Sequence, residues 1–159
     1  MKRSKPTDVR RRMGIYKHIE DVPSRSRLER FTSQFEGTDV WAVFVSTRNN
    51  EFDSAHYQAT FRKAGSSFKS HMRARDRHHA LAHPSDIESW LVTLAETRTL
   101  KTVYSEYWVR IEEFYTWLQR HTNYPHVYNP AWMAVAAFPT AGAMWARKTN
   151  RDAVGTGGD

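Results

Sequence analysis

The stretch TLKTVYSEYWVRIEEFYTWLQRH, residues 99–121, decides the fold. Val103, Tyr107, Ile111, Phe114 and Leu118 recur every three or four residues, so a 3.6-residue helix lines them up on one stripe. Tyr104, Tyr115 and Trp117 widen that stripe into a face that must be covered. A helix with so broad an apolar side is stable only inside a bundle, because burial rather than propensity supplies most helical stability.

The same period recurs on both sides. Upstream, residues 54–75 read as a helix that Ser54 can cap, with Tyr57, Phe61, Ala64, Phe68 and Met72 on one side. Residues 84–97 open with Pro84, and Ser85 and Glu88 have capping-box spacing ahead of Ile87, Trp90, Leu91 and Leu94. Residues 40–48, capped by Thr38 or Asp39, carry Val40, Trp41, Phe44 and Val45. A short strand competes for Val40 to Val45, and helix is favoured by the neighbours. Residues 28–35 form a short opening helix through Leu28, Phe31 and Phe35, with Gly37 as a stop. Downstream, Pro125 punctuates a turn and Asn129-Pro130 starts a last short helix over 131–137, limited by Pro139 and Gly142. The expectation is an all-α fold, a compact bundle of four to five helices. It divides into a basic N-terminal arm with a possible short helix (1–38), a helical domain (39–138) and a flexible C-terminal tail (139–159).

The 159 residues are 40% hydrophobic and 13% aromatic, which supplies a core for one domain and excludes wholesale disorder. There is no cysteine, hence no disulfide framework, thiolate zinc site or Cys nucleophile. The start of the chain is basic without an apolar segment, and no apolar run approaches the roughly 18 residues of a membrane span. A soluble, cytoplasmic, nucleoid-associated protein with no membrane partner is expected.

Enzyme chemistry finds no footing. GxSxG, GxxxxGK[ST], GxGxxG and HExxH are all absent. His79 and His83 have the spacing of a helical metal pair, but Pro84 interrupts a helix there and no acid cluster completes a ligand set. Glu112 and Glu113 are neighbours on a helix, about 100° apart, and read as solvated charges rather than a facing acid–base pair. No catalytic residue, metal, cofactor or small-molecule substrate is therefore expected.

Charge points elsewhere. The net charge is +7, and residues 1–30 hold ten of the 24 Lys and Arg but only four of the 17 acids. Within residues 54–75, Arg62, Ser66, Lys69 and Arg73 fall together on the side opposite the apolar stripe, with no acid from Arg62 to Arg75. Arg75, Arg77, His78 and His79 extend that surface, as do Arg10, Arg11 and Arg12 of the arm. An exposed basic helix face suits duplex DNA, because side chains of such a face reach phosphates and base edges in the major groove. The competing reading is a helical protein–protein interaction module without direct DNA binding. A cluster of exposed Trp108, Trp132 or Trp145 would mark it.

The ordered set of segments resembles a known family. Ser54-Ala55-His56-Tyr57 with Phe61 and Phe68, then His83-Pro84-Ser85-Asp86-Ile87-Glu88-Ser89-Trp90-Leu91, then Tyr107-Trp108-Val109-Arg110-Ile111 with Phe114-Tyr115-Thr116-Trp117-Leu118, resemble successive helices of the core-binding, SAM-like domain of tyrosine recombinases and phage-type integrases. His126-Val127-Tyr128-Asn129-Pro130-Ala131-Trp132 is similar to the closing element of the archaeal and archaeal-virus type. The resemblance covers residues 39–137. It implies one half of a clamp around double-stranded DNA, with residues 54–75 and 99–121 facing adjacent major grooves. Lys101, Thr102 and Ser105 then join Arg62, Ser66, Lys69 and Arg73 as DNA contacts. A full-length recombinase becomes a possible partner in site-specific recombination or integration. The family's catalytic domain is not matched: 29 residues follow Pro130, and no His-x-x-Arg occurs. No strand cleavage is expected.

Overall fold

The computed structural model describes residues 8–48 and 55–153. Among these residues every regular element is helical: α1 (Val9–Arg12), three 3-10 turns (Ile19–Asp21, Ser24–Ser26, Leu28–Phe31), α2 (Thr32–Phe35), α3 (Val40–Arg48), α4 (Ala55–Ala74) and α5 (Pro84–Ala95). Then come α6 (Leu100–Thr102), a π-helical segment (Val103–Trp108), α7 (Val109–Arg120), α8 (Pro130–Ala137) and α9 (Pro139–Ala153). The run at Val40 that could have been a strand is α3, and it buries Val40, Trp41 and Phe44.

The long helix expected over 99–121 is continuous but changes winding at Val103–Trp108. Val103, Tyr104, Tyr107 and Trp108 are all buried there. Adjacent positions are both covered because neighbours stand on two sides: Tyr107 packs on Trp90 of α5 and Trp108 on Trp145 of α9.

The centre of the bundle is aromatic. Trp41, Phe44 and Phe114 meet between α3 and α7, with ring centroids 4.9–5.4 Å apart. Phe68, Trp90 and Tyr107 form a second group between α4, α5 and the π segment. α5, α8 and α9 pack on one another and close the other side. Ser54, expected to cap α4, lies outside the described residues.

Four expectations change. The segment from residue 139 is no flexible tail over its described part: α9 runs Pro139–Ala153 and buries Ala141, Met144 and Trp145. Its first turn is capped from a distance, Glu88 accepting the N–H groups of Thr140 (3.0 Å) and Ala141 (2.9 Å). Glu88 is thus no member of a capping box with Ser85. That role falls to His83, whose Nδ1 accepts from the Ser85 N–H, and Asp86, which accepts from the His83 N–H. The basic arm is docked: Val9, Met13, Val22, Leu28 and Phe35 are buried, and the Leu28 N–H donates to the Tyr128 hydroxyl at 2.8 Å. Finally, helices in the former arm and tail make the bundle larger than the four or five expected.

The short helix over 28–35 is realised as a 3-10 turn leading into α2, and Gly37 supplies the left-handed stop with φ +74°.

Candidate nucleic-acid interface

α4 buries Phe61, Ala64, Gly65, Phe68 and Met72. Arg62, Ser66, Lys69 and Arg73 lie on its flank toward α3, Lys69 half-buried and the other three exposed. The approach of the two helices depends on Gly65. A Cβ there would sit 2.1 Å from the Trp41 indole nitrogen, which instead donates to the Phe61 carbonyl at 3.1 Å. That contact opens a cleft of about 430 Å³, with Trp41, Ala42 and Val45 along one wall and Arg62, Ser66 and Lys69 along the other. A neighbouring concavity of about 320 Å³ continues it past Lys69 to Arg73, Arg77 and the Thr38–Asp39 backbone.

The charges on this flank are unequal. Among the described residues Arg62 and Arg73 face no acid. Lys69 is paired with Asp39, Nζ to Oδ2 at 2.9 Å. Burial would raise the Asp39 pKa, but the bonds from Lys69 and the Ala42 N–H outweigh it and hold the carboxyl below its usual range. Arg75 and Arg77 both turn to Asp86, each at 2.5 Å. Two guanidiniums there share one carboxylate, so one positive charge is left over. Burial opposes ionisation of Asp86, and the His83 N–H and both arginines overcome it, so this pKa is lowered as well.

The histidines do not add to the surface. His78 Nε2 donates to the Thr38 carbonyl at 2.8 Å and its Nδ1 accepts from the Ala80 N–H. His79 Nε2 accepts from the N–H groups of Val40 (3.1 Å) and Trp41 (3.2 Å), so this ring caps the start of α3. Burial pushes its pKa down to about 3, and that of His78 below the usual imidazole value. The loop is pinned from beneath by the Tyr115 hydroxyl, which donates to the His79 carbonyl and accepts from the Ala82 N–H. His79 and His83 are therefore helix caps at neutral charge. Among the described residues no group of three or more His, Asp or Glu could hold a metal ion.

Other expected contacts are placed elsewhere. Lys101, Thr102 and Ser105 lie at the start of the helix 100–120, and Thr102 is taken up by the Thr99 cap. The cleft's second wall is α3, not this end. Arg10 and Arg11 ride on α1, which packs on α8; Arg10 is set against Asp8, and the side chain of Arg12 is outside the described residues. Lys17 donates to the carbonyls of Arg10, Met13 and Gly14 and so closes α1.

Sequence reading missed two parts of this interface: the α3 wall and the Asp39 partner of Lys69. Asp39 was visible only as a helix cap, and 30 residues separate it from Lys69. It also misread Glu112 and Glu113. Glu112 is buried and accepts from the Trp132 indole at 2.7 Å and from Lys148 at 2.9 Å. Glu113, its pKa raised by burial against the pull of Arg110 and Arg48, pairs with both at 3.1 Å.

Fold and site together define a helical bundle that displays unmatched guanidinium groups beside an apolar-floored cleft. No protein-family model, curated protein or solved structure matches the chain.

Proposed function

We propose that the protein binds double-stranded DNA through the α3-side flank of α4 and performs no chemistry on it. One observation carries the reading: Arg62 and Arg73 are exposed, face no acid among the described residues, and stand three turns apart on one flank. Eleven residues of helix separate them by about 16 Å, enough to reach phosphates on both sides of a major groove about 12 Å wide. Ser66, between them, can donate to a phosphate oxygen or a base edge. The surplus charge at Arg75 and Arg77 and the net charge of +7 add a field that draws the duplex in.

On the recombinase resemblance, such binding would serve site-specific recombination or integration, with the protein occupying recombination sites alone or beside a full-length recombinase. The rival docking module would be favoured by exposed tryptophans. Trp108 and Trp145 are buried, and Trp132 is half-buried with its N–H given to Glu112. No helix among the described residues is long and apolar enough to cross a membrane.

An electrophoretic shift with duplex DNA at low salt tests the proposal. Binding is expected to weaken with a log–log salt slope of about −3, corresponding to three to four neutralised phosphates. The double variant Arg62→Glu/Arg73→Glu should lose binding and keep its helical circular dichroism. No shift with the wild type, or an undiminished shift with the double variant, overturns the reading.

A further inference from the structure

Phosphate contacts need only the rim of the α3–α4 cleft; its floor is left without a task. Trp41, Ala42 and Val45 make that floor mostly apolar. The polar groups that converge on it are few: Ser46 from α3, and Arg62, Ser66 and Lys69 from α4. Apolar walls with a small number of convergent polar groups, in a volume of about 430 Å³, are the character of small-molecule sites, which span roughly 300–1,000 Å³. A helix or strand of another protein would need several apolar anchor points in a row, and the continuation past Lys69 is lined by Asp39, Arg73, Arg77, His78 and His79 instead.

The charges on the rim choose the ligand. Lys69 is half-satisfied by Asp39, and Arg62 faces no acid among the described residues. A cation ligand would meet two positive side chains; a neutral apolar one would leave the Arg62 fork unused. We infer that the cleft binds a small amphiphilic anion, an apolar body seated on Trp41, Ala42 and Val45 with a carboxylate or sulfonate head held by Arg62 and Ser66. The planar guanidinium can meet such a head with two parallel N–H donors. The site stands whether or not the flank binds DNA. Where it does, the ligand and the duplex compete for Arg62, and the ligand becomes an effector that releases the protein from DNA.

The full chain is titrated with 8-anilino-1-naphthalenesulfonate, followed by fluorescence, with uncharged N-phenyl-1-naphthylamine as the comparison probe. Saturable one-to-one binding of the sulfonate is expected, about tenfold tighter than the uncharged probe, the worth of one charge-assisted hydrogen bond. Ala42→Trp, which fills the cleft from an exposed helix position, and Arg62→Gln, which removes the head's partner, should each weaken the sulfonate by about tenfold or more with the melting temperature unchanged. Equal binding of both probes, or sulfonate binding that neither variant weakens, overturns the inference. So does an absence of binding by a folded wild-type chain. A wild type that shifts duplex DNA yet ignores the sulfonate sinks this site alone; one that binds the sulfonate at the cleft and no DNA leaves it standing and removes the DNA reading.

Discussion

Arg62 and Arg73 on α4 face no acid among the described residues, whereas Arg48, Arg110 and Lys148 around α7 are each set against a glutamate at 2.9–3.1 Å. Arg110 also lies over the Phe61 ring at 4.7 Å and donates to the Tyr57 hydroxyl. Both regions use the same residue types on helices of the same bundle. Around α7 the positive charge is spent on holding elements together: Lys148 and Trp132 tie α9 and α8 to Glu112. Along α4, Lys63 pairs with Glu106 and Lys69 with Asp39, but no acid among the described residues takes up the charge of Arg62 or Arg73. The difference is made by folding, which brings a carboxylate within reach in one place and not the other. Substitutions around α7 should therefore change stability and leave DNA binding alone, and substitutions along α4 should do the reverse.

The largest effect expected is of acid, and it separates arginine from histidine on the α4 side. His79 and His126 are buried, with pKa values lowered to about 3 and about 4; burial is the main cause in both. Both would take up a proton in the unfolded chain near 6.5, so their contribution to stability is full above that value and is lost as pH falls toward about 4 for His126 and about 3 for His79. Each should cost about 2 kcal/mol by pH 5. His71, His78 and His83 are lowered in the same direction. Protonated His79 would also set an N–H against the Val40 and Trp41 donors and release the α3 cap. Chemical denaturation at pH 7.5, 6.5 and 5 measures this. Duplex binding should not tighten between pH 8 and 6.5; tightening would mean that histidines, not arginines, supply the field.

Next in size is Glu112→Ala. It leaves Lys148 and the Trp132 N–H without their acceptor in a place where Glu112 is 6% exposed. Removing one partner of a buried pair costs about 3 kcal/mol, which lowers the melting temperature by roughly 9 °C in a chain of this size. At temperatures where the variant is folded, its duplex affinity should equal that of the wild type. A loss of binding there would merge the two regions.

These regions were unequally legible in the sequence. The apolar stripes at Phe61, Phe68 and Met72 and at Ile111, Phe114 and Leu118 announced their helices, because burial repeats with the helical period and needs only local order to be read. The same arithmetic grouped Arg62, Ser66, Lys69 and Arg73 but set them opposite the stripe, whereas they lie on the flank that faces α3. Ion pairing did not follow from it at all: Glu112 meets Lys148 across 36 residues and Lys69 meets Asp39 across 30. A one-dimensional pattern shows which charges share a face, not what folds opposite it. α9 was missed for a related reason. Ala141, Met144 and Trp145 make a narrow stripe, and the cap that starts the helix comes from Glu88, 52 residues earlier.

Smaller again are the single truncations Arg62→Ala and Arg73→Ala. Each should flatten the salt slope by about 0.9 and weaken duplex binding about fivefold at low salt. Stability should stay within about 0.5 kcal/mol, since neither guanidinium is spent inside the fold. A melting temperature that falls with affinity intact would place them with the α7 cations and end the distinction.

Lys69 stands between the two cases, half spent on Asp39, and it offers the finest test. Asp39 does two separable things. Its Oδ2 holds Lys69 at 2.9 Å, and its Oδ1 accepts the Ala42 N–H at 3.0 Å near the start of α3. Asn caps as well as Asp, so Asp39→Asn keeps the second role and removes the charge that competes for Lys69. An exposed pair of this kind is worth under about 1 kcal/mol. The variant should melt close to the wild type, bind duplex about threefold tighter and steepen the salt slope by about 0.9. A substitution that strengthens binding is hard to obtain by damage. If instead affinity is unchanged, Lys69 faces no phosphate, and the DNA surface shrinks to the two arginines and Ser66.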